Sequence, residues 1–130
     1  MSRHFFHSVL CLLSLLLFAS CQKRVLIAEL LFNESLTNAY FDGQPFTGTA
    51  WSDDGQSIRL VCDQGAVNLI EVYHSNGTVA MQNTSITGTA TCYDYHGKTI
   101  PIEAFVQYYP EVIEQVNHMV DFMYFSNELK

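Results

Sequence analysis

The sequence is poor in positive charge. Only three basic residues, Arg59, Lys98 and Lys130, follow Val25, whereas all thirteen Asp and Glu residues do. Three positive and thirteen negative charges give this part of the chain a net charge of −10. Phosphate backbones and anionic lipid headgroups are bound by clustered Lys and Arg. The composition therefore argues against nucleic-acid binding and against a polybasic membrane footprint.

The residue patterns of common catalytic and metal sites are also missing. The chain has no Gly-x-Ser-x-Gly or His-Glu-x-x-His motif and no glycine-rich phosphate loop. Neither Cys62 nor Cys92 lies in a Cys-x-x-Cys pair. His74 and His96 fall in predicted turns and His118 falls on the predicted helix, where a solvated or capping side chain is the expected state. We therefore expect a protein that is not an enzyme and that has no catalytic residue, metal or cofactor.

The longest apolar run, residues 9–18, has only ten residues, too few to span a bilayer as a stable helix. Arg3 precedes this run, and the small residues Ala19 and Ser20 follow it. A basic start, a short apolar centre and small residues at the end are typical of an export signal. The pattern predicts that residues 1–20 are a signal peptide, removed before Cys21.

The residues around Cys21 carry a more specific signal. Leu17-Phe-Ala-Ser-Cys21 resembles the bacterial lipobox, in which the cysteine is acylated and becomes the new N-terminus. Two acyl chains are enough for stable anchoring. Gln22 stands where an Asp would resemble an inner-membrane retention signal, so we expect lipidation at Cys21 and an outer-membrane protein whose domain faces the periplasm. An ordinary signal peptide that happens to end near a cysteine is the alternative.

An aromatic residue, three polar or turn-forming residues and a glycine recur about every twenty residues. The copies are Trp51-Ser-Asp-Asp-Gly55, Tyr73-His-Ser-Asn-Gly77 and Tyr93-Asp-Tyr-His-Gly97. This spacing predicts successive β-hairpins in which each glycine takes a positive φ after a type I turn. Asp42-Gly43 predicts a further two-residue hairpin turn, followed by Pro45 at a sheet edge.

The hairpins divide the predicted sheet into two faces. In the expected register Ala50 faces Ile58, Val72 faces Ala80 and Cys92 faces Ile100, and side chains alternate between the faces. The inner, core face collects Ala50, Ile58, Leu60, Cys62, Ile70, Val72, Ala80, Ala90, Cys92, Ile100 and Ile102. The outer, half-wet face collects Thr49, Trp51, Arg59, Glu71, Tyr73, Thr89, Thr91 and Tyr93.

Cys62 and Cys92 are the two cysteines left in the folded part of the chain. An exported pair by itself fits a disulfide. In a meander of these hairpins, however, the two lie three strands apart, or about 14 Å, and a disulfide requires Cα atoms within about 7 Å. We therefore predict no disulfide and two buried free thiols.

The pattern changes after Ile102. Apolar residues at 112, 113, 116, 119, 120 and 123 have helical spacing, and Pro110 begins the segment. Residues 25–36 fit either a short helix or an edge strand.

The sequence thus predicts a mainly β fold with a C-terminal helix. The expected sheet is an antiparallel meander of six or seven strands with the helix packed on one face. The expected segments are a tether at 21–35, the meander at 36–104 and the helix with its tail at 105–130.

Part of the meander is similar to a known repeat. Gly43-Gln-Pro-Phe-Thr-Gly48-Thr-Ala-Trp51, with Asp54-Gly55 after it, and Tyr73-His-Ser-Asn-Gly77-Thr-Val-Ala80 resemble the MORN-repeat variant of bacterial exported and antitoxin-like proteins. The resemblance covers residues 36–100. It implies a curved sheet of successive hairpins that serves as a scaffold or binding surface. It implies no catalytic residue.

These observations lead to one functional expectation and two alternatives. We expect a lipid-anchored envelope protein that presents Trp51, Tyr73 and Tyr93 to a protein or glycan partner, because rigid aromatics among polar groups suit recognition. The same residues could instead only support one another across the sheet. An antitoxin or immunity-like protein that occludes a basic partner is the second hypothesis, and an envelope hydrolase is the third. The oligomeric state and the partner's identity are not predicted.

Overall fold

The computed structural model describes residues 24–86 and 88–128. The predicted signal peptide, residues 1–20, and the predicted lipidation site, Cys21, lie outside the described residues. The described part of the chain forms a seven-stranded sheet, a three-stranded sheet and two C-terminal helices. The expected mainly β fold with a C-terminal helix is confirmed, although the helical part holds two helices.

The large sheet has the strand order β1-β5-β6-β7-β8-β9-β10. Its neighbours are antiparallel except at one edge, where β1 runs parallel to β5. The prediction of a wholly antiparallel meander is therefore wrong at that edge, because the chain leaves β1 to build the small sheet before it returns as β5. The strands are β1 (Val25–Leu26), β5 (Gly48–Trp51), β6 (Ile58–Asp63), β7 (Ala66–Tyr73), β8 (Val79–Asn83), β9 (Thr91–Tyr93) and β10 (Thr99–Ile100).

The small sheet combines part of residues 25–36, whose conformation the sequence left open, with the hairpin predicted at Asp42-Gly43. A single 3₁₀ turn, Ile27–Glu29, separates β1 from β2 (Leu31–Phe32), which pairs with β3 (Ala39–Phe41). The next strand, β4 (Gln44–Pro45), lies at the edge of this sheet. Asp42 and Gly43 join β3 to β4 with φ values of 52° and 77°. Two successive positive φ values are those of a tight two-residue hairpin turn.

The three repeated hairpins differ in their register. Gly55, Gly77 and Gly97 all have positive φ, as a turn glycine requires. Cys92 pairs with Ile100 as expected. The other two expected pairs are wrong. Ala50 pairs with Leu60 because the loop after Trp51 is longer than a three-residue turn. Val72 pairs with Met81 because an irregularity in β8 shifts the register and leaves Ala80 as an extra residue. The hairpins are therefore not identical units, and the repeat stays a prediction.

Helices α1 (Ile102–Tyr108) and α2 (Pro110–Glu128) end the described chain. Pro110 takes the first position of α2, where its missing N–H costs nothing. Glu111 lies in the first turn, where a negative charge is favourable. Ile102, predicted to lie on the inner face of a strand, instead begins α1 and is 44% exposed. Pro101 has extended backbone and starts the change from strand to helix.

The core lies between the inner face of the large sheet, the small sheet and the two helices. Leu60 and Phe105 are fully buried, and Val112 and Met123 are nearly so. Val116, Met119 and Val120 of α2 pack against this cluster with part of their surface exposed. The helices and the small sheet together therefore cover a sheet face that could not stay exposed to water.

Candidate functional site

Two of the three predicted aromatic residues come together on the outer face. Trp51 on β5 and Tyr73 on β7 are half-buried, and their rings stack with centroids 6.2 Å apart and planes at 20°. Tyr93 on β9 is half-buried too, but no ring contact joins it to the pair within residues 24–86 and 88–128. The site residues predicted from the repeat therefore form an aromatic pair and a separate tyrosine.

A network of hydrogen bonds around Glu71 lies next to the aromatic pair. Arg59 donates from Nε to the Glu71 Oε1 atom at 2.9 Å and forms a second, ionic contact through a terminal nitrogen. The Tyr73 hydroxyl donates to the same oxygen at 3.1 Å, and the Gln82 amide donates to Oε2 at 3.3 Å. Glu71 is only 7% exposed, yet both of its oxygens are satisfied. The network fixes the position of the Tyr73 ring.

The same network shifts two pKa values. The hydrogen bond to Glu71 raises the pKa of Arg59. Burial raises the pKa of Tyr73, and the negative charge of Glu71 adds to the effect. Both groups therefore stay protonated at neutral pH. Tyr73 stays protonated and donates a hydrogen bond to Glu71, which is a structural role. A tyrosine in this state is poorly suited to act as a base.

Arg24 covers the Trp51 ring at the edge of the sheet. Its guanidinium carbon lies 4.3 Å from the ring centroid, a cation–π distance. Arg24 is the first described residue and stands three positions after Cys21. The aromatic pair thus lies beside the first residue of the described chain.

A polar cleft of about 310 Å³ lies between the hairpin ends and the first turns of α2. Its walls include Tyr73, His74, Tyr95, Glu111 and Gln115. The volume is at the small end of the range for ligand pockets. Of the three aromatic residues predicted to form the site, Tyr73 alone lines the cleft.

His74 in this cleft is not the solvated turn residue that the sequence predicted. It is 4% exposed, and the rings of Tyr95 and Tyr109 lie 4.6 and 4.7 Å from it. Its Nε2 atom is 2.7 Å from the backbone carbonyl of Tyr93, which can only accept, so Nε2 carries the proton. Nδ1 is then a buried acceptor with no partner among the described residues. The prediction failed because Phe105 of α1 and Tyr109, which follows α1, pack over His74 from later in the chain.

An apolar groove of about 540 Å³ runs between the 3₁₀ turn and the C-terminal half of α2. Ile27 and Ile58 form its buried floor, whereas Phe122 and Phe125 are 49% and 64% exposed beside it. Polar residues, including Asp53 and Asp121, also line the groove. The sequence pattern did not indicate a groove here, because the groove forms only where α2 lies against the 3₁₀ turn from the start of the described chain.

The described residues offer little for covalent or metal chemistry. Within 24–86 and 88–128 no cluster of three or more His, Cys, Asp or Glu side chains could hold a metal ion. Cys62 and Cys92 are buried free thiols on strands three positions apart. Burial raises the pKa of Cys62 to about 11 and also raises that of Cys92. Since the thiolate is the nucleophile, both are unreactive at neutral pH.

The chain was compared with protein-family models, curated proteins and solved structures, and none of them matches it. The resemblance to MORN repeats therefore stays an expectation. Of the helices formed by the described residues, neither is both long and apolar enough to cross a membrane.

Proposed function

We propose that the protein is a non-enzymatic, lipid-anchored binding module of the bacterial cell envelope. In this proposal residues 1–20 are removed, Cys21 is acylated, and the domain is held at the outer membrane facing the periplasm. The partner is a protein or a glycan. The observation that carries the proposal is the half-exposed Trp51–Tyr73 pair, held in place by the Glu71 network.

The pair has the properties of a recognition surface. Large aromatic side chains dominate binding energy when they are held rigidly, because little conformational entropy remains to be lost. Tyr73 is fixed at its hydroxyl by Glu71 and at its ring by Trp51. Tyr73 also lines the polar cleft, so one partner could contact the pair and the cleft together.

The charge of the domain supports a second candidate function. A net charge of −10 from Val25 onward would attract a basic partner and speed its association. The cleft contains the carboxylate of Glu111 and no Lys or Arg among its walls. An antitoxin or immunity-like protein that occludes a basic effector fits this surface. It would use the same aromatic pair.

Two experiments test the proposal. Cells grown with a palmitate analogue should yield a labelled protein, and Cys21→Ser should abolish the label. An unlabelled wild-type protein would overturn the anchoring. A benzophenone amino acid at position 73 should then crosslink a discrete partner in cells. The matched control carries the same group at Tyr108, which is 67% exposed on α1.

The crosslinking experiment and a co-sedimentation assay separate the candidate functions. Crosslinking of one basic protein supports the antitoxin-like function, and crosslinking of envelope proteins supports a binding module. Co-sedimentation with purified cell-wall glycan, lost in a W51A/Y73A variant, supports a glycan partner. Equal crosslinking from positions 73 and 108 would contradict a binding role for the aromatic pair.

A further inference from the structure

The apolar groove has a floor that is part of the core and a side that is open. Ile27 and Ile58 are 4% and 2% exposed, whereas Phe122 and Phe125 beside them keep about half or more of their surface in water. Soluble proteins seldom leave neighbouring large apolar side chains uncovered without a use for them. The groove therefore requires an occupant, and its place in the fold indicates which one.

The groove lies at the edge of the domain where the described chain begins. Strand β1 is the edge strand of the large sheet, and the 3₁₀ turn that follows it supplies Ile27 to the groove. Cys21 and Arg24 are three residues apart, so their Cα atoms can be separated by at most about 11 Å. This step depends on the proposed acylation of Cys21. An acylated Cys21 would hold the β1 edge close to the headgroups of the bilayer.

The distribution of basic residues fits the same orientation. From Cys21 onward the chain has five basic residues, and two of them, Lys23 and Arg24, stand two and three positions after the proposed anchor. Basic residues beside a lipid anchor favour contact with anionic headgroups. The remaining charge of the domain is strongly negative and favours exposure to water. Asp53 and Asp121 on the groove limit contact to the headgroup region and argue against deep insertion.

We infer that the groove docks on the bilayer that carries the anchor, with Phe122 and Phe125 entering the boundary between headgroups and acyl chains. Aromatic and aliphatic side chains are favourable at that depth. Docking would restrict the orientation of the domain. The β1 edge would face the lipid, and the polar cleft at the start of α2 would lie farther from it.

The chain has one tryptophan, which makes a fluorescence test direct. Two full-length variants are expressed for lipidation, purified from membranes and reconstituted in phosphatidylethanolamine–phosphatidylglycerol vesicles. W51F/F125W places the tryptophan at the groove, and W51F/Y108W places it on an exposed part of α1. With lipids brominated on the acyl chain, the tryptophan at 125 should lose roughly half of its emission and shift to the blue. The tryptophan at 108 should be unaffected.

Each outcome decides between docking and its alternatives. If palmitate labelling succeeds but the tryptophan at 125 is not quenched, docking is wrong and the lipid anchor stands. If no lipid is attached, the proposed function fails and the inference fails with it. A blue shift that depends on protein concentration, without quenching by brominated lipid, would assign the groove to a second copy of the chain and overturn the inference. Equal quenching at both positions would also overturn it.

Discussion

The side chains on the two faces of the large sheet are stabilised by different kinds of contact. The inner face is covered by other elements of the chain, with Phe105 from α1 and Met123 from α2 buried against it. On the outer face the side chains pair with one another. Trp51 stacks on Tyr73, and Glu71 accepts hydrogen bonds from Arg59. The inner face is thus held by packing and the outer face by specific partners.

The difference bears on which aromatic residues are available for binding. A half-exposed aromatic residue on the outer face already has partners, so its exposure alone does not identify a binding surface. Trp51 is contacted by Tyr73 on one side and by Arg24 on another. The side chain of Phe125 is more exposed than those of Trp51 and Tyr73, and it lies beside the apolar groove. A partner on the outer face would therefore meet a rigid, ordered surface, and a partner at the groove would meet an uncovered one.

The largest loss of stability should come from truncating a residue that covers the inner face. Phe105 is fully buried and contacts the rings of His74 and Tyr109. Phe105→Ala should lower the free energy of unfolding by about 3–5 kcal/mol, because it leaves a cavity. Phe125→Ala is the matched control and should change it by less than about 0.5 kcal/mol. Urea denaturation measures both, and equal losses would contradict the assignment of Phe125 to the surface.

Removing the partner at the centre of the outer face should have the next largest effect. Glu71→Ala leaves Arg59, Tyr73 and Gln82 without their acceptor. We expect a loss of about 2–3 kcal/mol, below the usual cost of breaking a buried pair, because Arg59 is partly exposed. Glu34→Ala, at an exposed loop position, serves as the control. A loss no greater than the control would show that the outer face does not depend on this network.

The buried thiols should make the inner face sensitive to alkaline pH. Burial raises the pKa of Cys62 from 9.0 to about 11, so the unfolded chain releases its proton first as the pH rises. The Cys62 thiol therefore leaves the free energy of unfolding unchanged below about pH 9. As the pH approaches 11, it lowers this free energy by about 2 kcal/mol. Cys62→Ala should show a smaller loss over this range, because Cys92 and Tyr73 still act in the same direction. An unchanged pH profile would contradict the prediction.

The smallest effect concerns the direct coupling of the aromatic pair. A double-mutant cycle of Trp51→Ala and Tyr73→Ala should give a coupling energy of about 1 kcal/mol. The cycle is measured by denaturation of the two single variants, the double variant and the wild type. A coupling near zero would mean that the stack does not hold the outer face together, and that the Glu71 network alone fixes Tyr73.

Local signals in the sequence were enough for the Asp42-Gly43 turn and for helix α2. Asp42-Gly43 forms the expected tight turn because both residues tolerate positive φ. The helical spacing after Pro110 gives α2, since only that period places Val112, Val116 and Met123 toward one core. The alternation of residues also separated Leu60, inside, from Arg59, outside.

Features that depend on distant parts of the chain could not be read in this way. Strand β1 is a parallel edge strand because β5 lies beside it, and no local pattern in Val25–Leu26 encodes that pairing. The register of Val72 depends on an irregularity in β8 that the glycine spacing does not show. His74 is buried because Tyr109 and Phe105 pack over it from later in the chain. The groove likewise exists only once α2 lies against the 3₁₀ turn.

We propose that the chain is a lipid-anchored module whose mature form begins at Cys21. The mass of the N-terminal peptide, from protein extracted from membranes and digested, tests it most directly. We expect a peptide that starts at Cys21 and carries the mass of a diacylglyceryl group with or without a further acyl chain. A peptide that starts at any other residue, or one in which Cys21 has an unmodified thiol, would contradict it.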